Sequence, residues 1–443
     1  MRKAFFFCLL FCLALVIFLI LIRAFPKNAS LLPTLLVLMI LDGYLWLSIK
    51  DWVYRLRTIF MYSLSGLYWF PLMLVTSSII TGMLVPFISW NISLRTYIPG
   101  AILTVYICKA FPIIFLVFAD ILRIFSFWSN AFFQGKGAGF SHFLRNKWVL
   151  ITGWLTGGFL LILMVLGMIW WNYDFQIRKE TLILPELPKS FDGLKIVQIS
   201  DLHLGSWSSH AKLEEAVRIV NELNPDLIFF TGDIANYSTD DVLPFKTILS
   251  HLISRLGVFT VLGNHDYGDY IAWPSAEAKD KNLKDLFVFY HKLGWKLLLN
   301  EHYILKVNND SIAILGVQNW GKTKRFPKLG DVGKAQHGYK NMAVQLLLTH
   351  DPSNWEYIVS CEYRNIDISF SGHTHGFQLG IECCGLRWSP AQYLYDQWGG
   401  LYSKPVPGSH PQYLYVNRGL GSIGYPGRIG ILPEITLFTL RKN

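Results

Sequence analysis

The chain has 443 residues, 52% of them hydrophobic, and a mean hydropathy of +0.34, which is too apolar for a purely soluble domain and calls for membrane spans. The formal charge of +10 is unevenly placed: residues 1–171 hold 13 Lys/Arg against 3 Asp/Glu, while residues 172–443 hold 27 of each. All excess positive charge therefore lies among apolar runs, where it sets orientation, and nucleic acid is excluded as a partner.

Five apolar runs approach the roughly 20 residues needed to cross a bilayer: Ala4–Ile22, Leu32–Leu47, Tyr68–Ser89, Ile98–Leu122 and Val149–Trp170. The first has Arg2 and Lys3 ahead of it, like a signal peptide, but it is too long and lacks a small-residue cleavage site, so it reads as a retained anchor. Aromatic residues at interfacial positions, among them Trp46, Trp69, Trp90, Trp148 and Trp170, mark the ends of the runs. With the N-terminus inside, Arg2, Lys3, Lys50, Arg55, Arg57, Arg123, Lys136, Arg145 and Lys147 fall on the cytoplasmic side. Only Arg23, Lys27 and Arg95 fall outside. Five spans then place residues 172–443 outside the cytoplasm, on a plasma or inner membrane. Asp42 and Lys109 interrupt two spans; either each snorkels to an interface or the two pair and fix helix packing. Phe125–Phe143 reads as an interfacial segment or a loop.

Beyond Trp171 charged residues return, and strand and helix patterns alternate. An early strand and a proline-marked turn cover Thr181–Pro188. Strand Leu194–Ile199, helix Ala211–Leu223, strand Leu227–Phe230, helix Leu243–Arg255 and strand Val258–Leu262 follow. Later strands are predicted at Trp295–Leu299, Ile312–Val317, Val344–Leu348, Asp367–Phe370, Leu414–Asn417 and Glu434–Leu440. The pattern predicts a double β-sheet sandwich flanked by helices, an α/β domain over 172–443 behind an all-α transmembrane region over 1–171. The six cysteines show no C-x-x-C pair, so no zinc ribbon or cystine framework is indicated.

Polar residues cluster just past the ends of the strands: Asp201-Leu202-His203, Gly232-Asp233, Gly263-Asn264-His265-Asp266, His350 and Gly372-His373-Thr374-His375. Carboxylate, imidazole and amide oxygen together suit Mn, Fe or Zn better than Mg or Ca. The ligand candidates are too many for one ion and suit two ions about 3.5–4 Å apart sharing a carboxylate.

In order and spacing these blocks resemble the calcineurin-like metallophosphoesterases, over roughly residues 176–443, and within them a membrane-associated branch that includes bacterial lipid-pathway phosphoesterases. The resemblance implies one metal on Asp201, His203 and His375, another on Asn264, His350 and His373, and Asp233 bridging. It implies a catalytic, non-ligand role for His265. Asp266 reads as bracing a ligand histidine. A water between two cations, acidified towards pKa ~7, would attack phosphorus. Arg418, in the Asn417-Arg418-Gly419 segment, is a candidate substrate contact, and the aromatic stretch Phe377–Pro411 is either a cover for the core or an apolar lid for lipid.

The resulting expectation is a manganese-, iron- or zinc-dependent hydrolase of a phosphomonoester, phosphodiester or pyrophosphate bond (a phosphodiesterase among the readings), working in lipid metabolism on a lipid or other phosphorylated small molecule. Its partners are the bilayer and that substrate; no protein partner follows from the sequence. A hydrolase of acylated sugar-nucleotide pyrophosphates (a UDP-2,3-diacylglucosamine pyrophosphatase-like activity) is the alternative substrate reading, although that chemistry belongs to the cytoplasmic face. The alternative of another class is a membrane sensor or scaffold that binds without turnover. Isolated histidines, His210, His251, His291, His302, His337 and His410, read as surface or packing residues.

Overall fold

The computed structural model describes residues 23, 31–133, 147–323, 326 and 328–442. The chain divides into two compact units, Met1–Leu163 and Met164–Asn443. The expected anchor Ala4–Ile22 and the end of the ambiguous stretch, 134–143, lie outside the described residues.

Four described helices are long and apolar enough to cross a membrane. They are α1 (Leu31–Val53), α2 (Thr58–Leu84), α3 (Ile92–Phe133) and α4 (Lys147–Ile169). Helix α2 starts ten residues before the expected span because nothing in Thr58–Leu67 breaks a helix, and it continues through Pro71. Helix α3 carries on through the first part of the ambiguous stretch to Phe133. Within the first unit, Leu45, Tyr68 and Ile113 form a small core against Trp46, Trp69 and Trp154. Helix α4 meets α3 closely at Gly157, where a Cβ would lie 2.5 Å from the Cys108 carbonyl, so only a glycine fits.

The snorkelling alternative for Asp42 and Lys109 does not describe them. Both are buried, with Lys109 Nζ 2.7 Å from Asp42 Oδ1. The Tyr106 hydroxyl donates to Asp42 Oδ2 at 2.7 Å, and Lys109 also donates to the Tyr68 carbonyl at 3.2 Å. Each charge thus has more than one polar partner, as burial in an apolar unit requires.

The second unit carries the expected sandwich. Its strands are β1 (Gln176–Ile183), β2 (Lys195–Ile199), β3 (Leu227–Phe230), β4 (Val258–Thr260), β5 (Lys296–Leu297), β6 (Glu301–Val307) and β7 (Asp310–Gly316). They continue with β8 (Gln345–Leu348), β9 (Ile368–Ser371), β10 (Ile381–Cys383), β11 (Leu386–Trp388), β12 (Gly400–Lys404), β13 (Gln412–Val416) and β14 (Glu434–Arg441). One six-stranded sheet runs β1-β14-β2-β3-β4-β5 and the other β12-β13-β9-β8-β7-β6.

Side-chain alternation assembles the layers. In β3, Leu227 and Phe229 face the other sheet, beside Phe259, Ile314, Leu346, Phe370 and Phe438. Ile228 and Phe230 point the opposite way, into a core with helix α5 (His210–Glu222) and helix α7 (Ala276–Leu293). In β8, Leu346 and Leu348 likewise face inward while Leu347 packs outward with Trp355 and Val359. Coverage on both faces is why these strands read as unbroken apolar runs.

Two helices differ from expectation. The stretch Leu243–Arg255 yields only a 3₁₀ turn at Leu243–Phe245, holding Pro244, and the single-turn α6 (Lys246–Leu249). Helix α7 was not anticipated; Ser275 caps its start by accepting from the Ala278 amide, and Gly294 ends it with φ 74°.

Candidate metal centre

The apolar strands β2, β3, β8 and β9 end at the same edge of the sandwich, so the polar residues that follow them converge. Asp201, His203 and His375 bring ligand atoms within 4.8 Å of one another, and so do Asp233, His350 and His373. Within these groups, His203 Nε2 is 3.0 Å from His375 Nε2, and His373 Nδ1 is 3.2 Å from His350 Nε2. Asp233 Oδ2 lies 3.1 Å from His350 Nε2 and 3.6 Å from His203 Nε2, reaching one member of each group.

The backbone is bent to achieve this. Asp201, His203, Asp233, His373 and His375 all have left-handed φ, from 45° to 75°, a conformation costing non-glycine residues of order 1–3 kcal/mol each and concentrated at functional sites. Gly372 lets two of these turns meet: a Cβ there would lie 2.0 Å from Ser200 Oγ and 2.2 Å from Asp201 Oδ2. The His373 amide donates to both Asp201 oxygens, at 3.1 and 3.0 Å.

Three observations show that these residues fit divalent cations. Imidazole nitrogens converge in pairs at 3.0 and 3.2 Å, close enough for both members of a pair to ligate one ion. Asn264 Oδ1 is buried without a hydrogen-bond partner, while its Nδ2 donates to Tyr270 at 2.6 Å. His350 Nδ1 is committed to the Thr231 carbonyl at 2.7 Å, leaving Nε2 turned into the site. The electrostatics agree: burial alone would lower the His350 pKa, but the Asp233 and Asp201 carboxylates lift it to about 10. Burial opposes ionisation of Asp233, yet His350, His265 and His203 hold its carboxyl well below the usual range.

His265 sits beside the pocket. Its Nδ1 pairs with the Asn236 carbonyl at 2.8 Å, its amide donates to Asp233 Oδ1 at 2.8 Å, and its ring stacks on Tyr270 at 3.8 Å. Asp266 takes a different part from the one expected. It braces no histidine; its carboxylate accepts from the amides of Asp233, Ile234, Ala235 and Gly263 at 2.9–3.2 Å, pinning the turn that carries Asp233. Arg418 is buried with one end of its guanidinium on Glu434 and the other on Glu382, which is a structural engagement.

Several residues gave no sequence signal. Tyr395 hydroxyl lies 2.8 Å from His373 Nε2, and Asp351 Oδ2, buried and without a hydrogen-bond partner, lies 3.5 Å from the same nitrogen. Arg428 is fully buried and donates to the carbonyls of Arg418, Gly419 and Gly421, a loop whose Gly421 amide donates to the Asp201 carbonyl at 2.8 Å. A histidine at a strand end is visible in sequence; a tyrosine or arginine reaching it from a distant loop is not.

Comparison with known proteins agrees with this geometry. Residues 194–377 match the family model for calcineurin-like phosphoesterases. The chain is 31% identical over 273 residues to the metallophosphoesterase YkuE of Bacillus subtilis, covering 60% of this chain and 86% of that one. It is 31% identical over 305 residues to the UDP-2,3-diacylglucosamine pyrophosphatase LpxG of Chlamydia muridarum, covering 58% and 88%. It is 30% identical over 263 residues to a transmembrane protein with metallophosphoesterase domain from Danio rerio, covering 58% of this chain but only 55% of that one. The chain belongs to the calcineurin-like metallophosphoesterases, hydrolases of phosphoester bonds that use divalent metal ions. The four apolar helices among the described residues, each long enough to cross a bilayer, support a membrane protein of that family.

Proposed function

We propose that the protein hydrolyses a phosphoester or pyrophosphate bond with two divalent cations, Mn, Fe or Zn, on a lipid or another phosphate ester presented at the membrane. Asp233 carries this reading, because its Oδ2 stands between a histidine of each ligand group. Asp201, His203 and His375 would hold one cation, Asn264, His350 and His373 the other, and Asp233 would be shared. Such a pair, when bound, supplies a water acidified towards about 7 and positive charge against the phosphoryl oxygens.

The chain's residues do the remaining work. His265 keeps its Nδ1 proton on the Asn236 carbonyl, so Nε2 is the atom that exchanges a proton with the leaving oxygen, and the Tyr270 ring fixes its plane. Asp266 holds the Asp233 turn rigid through four amides. Tyr395 and Asp351 orient His373.

The Lys/Arg bias supports a catalytic domain outside the cytoplasm. A second reading, cleavage of an acylated sugar-nucleotide pyrophosphate, is favoured by the similarity to LpxG over most of that protein's length.

The test is turnover of an aryl phosphodiester by the full-length protein in detergent, stripped of metal and reloaded with Mn, alongside metal counting by mass spectrometry. Two ions per chain are expected, with Asp233→Asn losing both turnover and more than one ion. One ion per chain with full activity overturns the two-cation reading.

A further inference from the structure

The hairpin β10–β11 is built inside out. Ile381, Cys383 and Leu386 are exposed along it, whereas Glu382 turns inward to Arg418, with Arg387 and Arg178 beside it at 3.3 and 3.4 Å. The alternation continues upstream: Phe377 and Leu379 are exposed and Gln378 between them is buried. On the neighbouring turn Tyr393 is 74% and Leu394 55% exposed. A contiguous apolar strip of this kind is unusual on a surface that faces only water. It also adjoins the metal centre directly: Phe377 follows His375 by two positions, and Leu394 precedes Tyr395, which pairs with His373.

Within the same unit, hydrogen bonds link this strip to the end of the last apolar helix. Gln378 Nε2 donates to the carbonyls of Tyr425 and Gly427 at 2.6 and 2.8 Å, and its Oε1 accepts from the Ile423 amide at 2.7 Å. The Gly380 amide donates to the Ile429 carbonyl at 2.9 Å, and the Ile429 amide to the Gln378 carbonyl at 2.7 Å. The far side of this loop grips α4: the Tyr425 hydroxyl donates to the Met164 carbonyl and the Arg428 amide to the Gly167 carbonyl. Met164 and Gly167 lie in the final turns of a helix long enough to span a bilayer, and exposed Trp170 follows, as interfacial aromatics do.

We propose that the face formed by Phe377, Leu379, Ile381, Leu386, Tyr393 and Leu394 docks into the bilayer surface and holds the mouth of the metal centre against the lipid headgroups. The occupant follows from continuity: one loop contacts both the membrane-spanning helix and the strip, so the strip lies within a few residues of interfacial depth. The charged face of the hairpin, which would be costly in lipid, is the one neutralised against protein. Docking places the site where a phosphate attached to a lipid can reach it without leaving the bilayer. That last step rests on the function proposed above; the docking does not.

The experiment uses the full-length protein in vesicles of phosphatidylcholine and phosphatidylglycerol. A fluorophore is attached at Leu386→Cys, and for comparison at Lys284→Cys on α7, in a background whose other cysteines are serine. Doxyl-labelled lipid is expected to quench the label at 386 strongly and the one at 284 hardly at all. In parallel, the pair Leu379→Glu and Leu386→Glu is expected to raise KM for a vesicle-borne lipid phosphate about 100-fold, near the loss of two Leu-sized side chains from lipid. Turnover of a soluble aryl ester should stay unchanged. Equal quenching at both labels, or lipid-phosphate turnover indifferent to the two glutamates, overturns the proposal. Quenching reads docking whether or not the aryl ester is hydrolysed, so a failure of the chemistry shows separately.

Discussion

The pair buried in the membrane unit invites a double-mutant cycle. Asp42 is fully buried, and its carboxylate is held by Lys109 Nζ at 2.7 Å and the Tyr106 hydroxyl at 2.7 Å. Lys109→Met leaves that carboxylate with one neutral donor, and breaking a buried pair from one side costs about 3–5 kcal/mol. Asp42→Asn removes the countercharge and leaves the ammonium with neutral partners alone, among them the Tyr68 carbonyl and the Tyr68 and Tyr106 rings. Making both changes removes both charges and keeps an acceptor for Tyr106, so the double variant should sit within about 1–2 kcal/mol of the native protein. The coupling energy is then about 4 kcal/mol or more, above the ~0.5–3 kcal/mol usual for contacting residues. The assay is reversible unfolding of the four proteins in mixed micelles of rising SDS content, read by tryptophan fluorescence and by helicity. If the double variant loses the sum of the two singles to within about 0.5 kcal/mol, the two charges do not stabilise each other and the reasoning fails.

Other outcomes follow from the catalytic unit. Gly372→Ala puts a Cβ 2.2 Å from Asp201 Oδ2 and should weaken metal affinity by about 10–100-fold, measured by calorimetric titration, while circular dichroism stays native. Asp266→Ala strips four buried amides of their acceptor and should lower stability by about 3 kcal/mol or more, with a fall in melting temperature seen even in the metal-free protein. His410 Nε2 lies 2.7 Å from Asp367 Oδ1, and this hydrogen bond raises its pKa. Its stabilisation is therefore complete below the unfolded value of about 6.5 and disappears as pH rises through the higher folded value. Melting temperature should fall above pH about 6.5 relative to the His410→Gln variant, and parallel curves for the two would refute it.

Strand ends were legible because both faces of each sheet are covered, making Leu227–Phe230 and Gln345–Leu348 unbroken buried runs that stop abruptly at a histidine or aspartate. Helix α7 was not, since its first half, Ala276–Asp285, is charged and reads as solvated loop; its buried apolar residues, Leu286, Phe289 and Tyr290, all lie in the second half. The Leu243–Arg255 pattern misled because apolar spacing was present but Pro244 and the turn at Ser250–Leu252 divert the chain. Asp266 was placed near the right turn with the wrong partner, because which way amides point depends on left-handed Gly232 and Asp233, whose φ of 97° and 58° no periodicity encodes. The inverted hairpin was visible only as aromatic and glycine-rich composition; its polarity depends on Glu382 meeting Arg418 across the fold.

Strand β14 lies between β1 and β2, parallel to the first and antiparallel to the second. Those two strands belong to the start of the unit, yet neither gains β14 as a neighbour until nearly everything between has been synthesised. Glu434, the first residue of β14, also receives the Tyr415 hydroxyl and the Arg418 guanidinium behind the loop that touches Asp201. A nascent chain stopped before Glu434 consequently exposes two bare strand edges and an unsupported ligand loop, a template for aggregation. Folding of this unit thereby waits for β14 to emerge, and a product cut before it lacks the strand that joins β1 to β2.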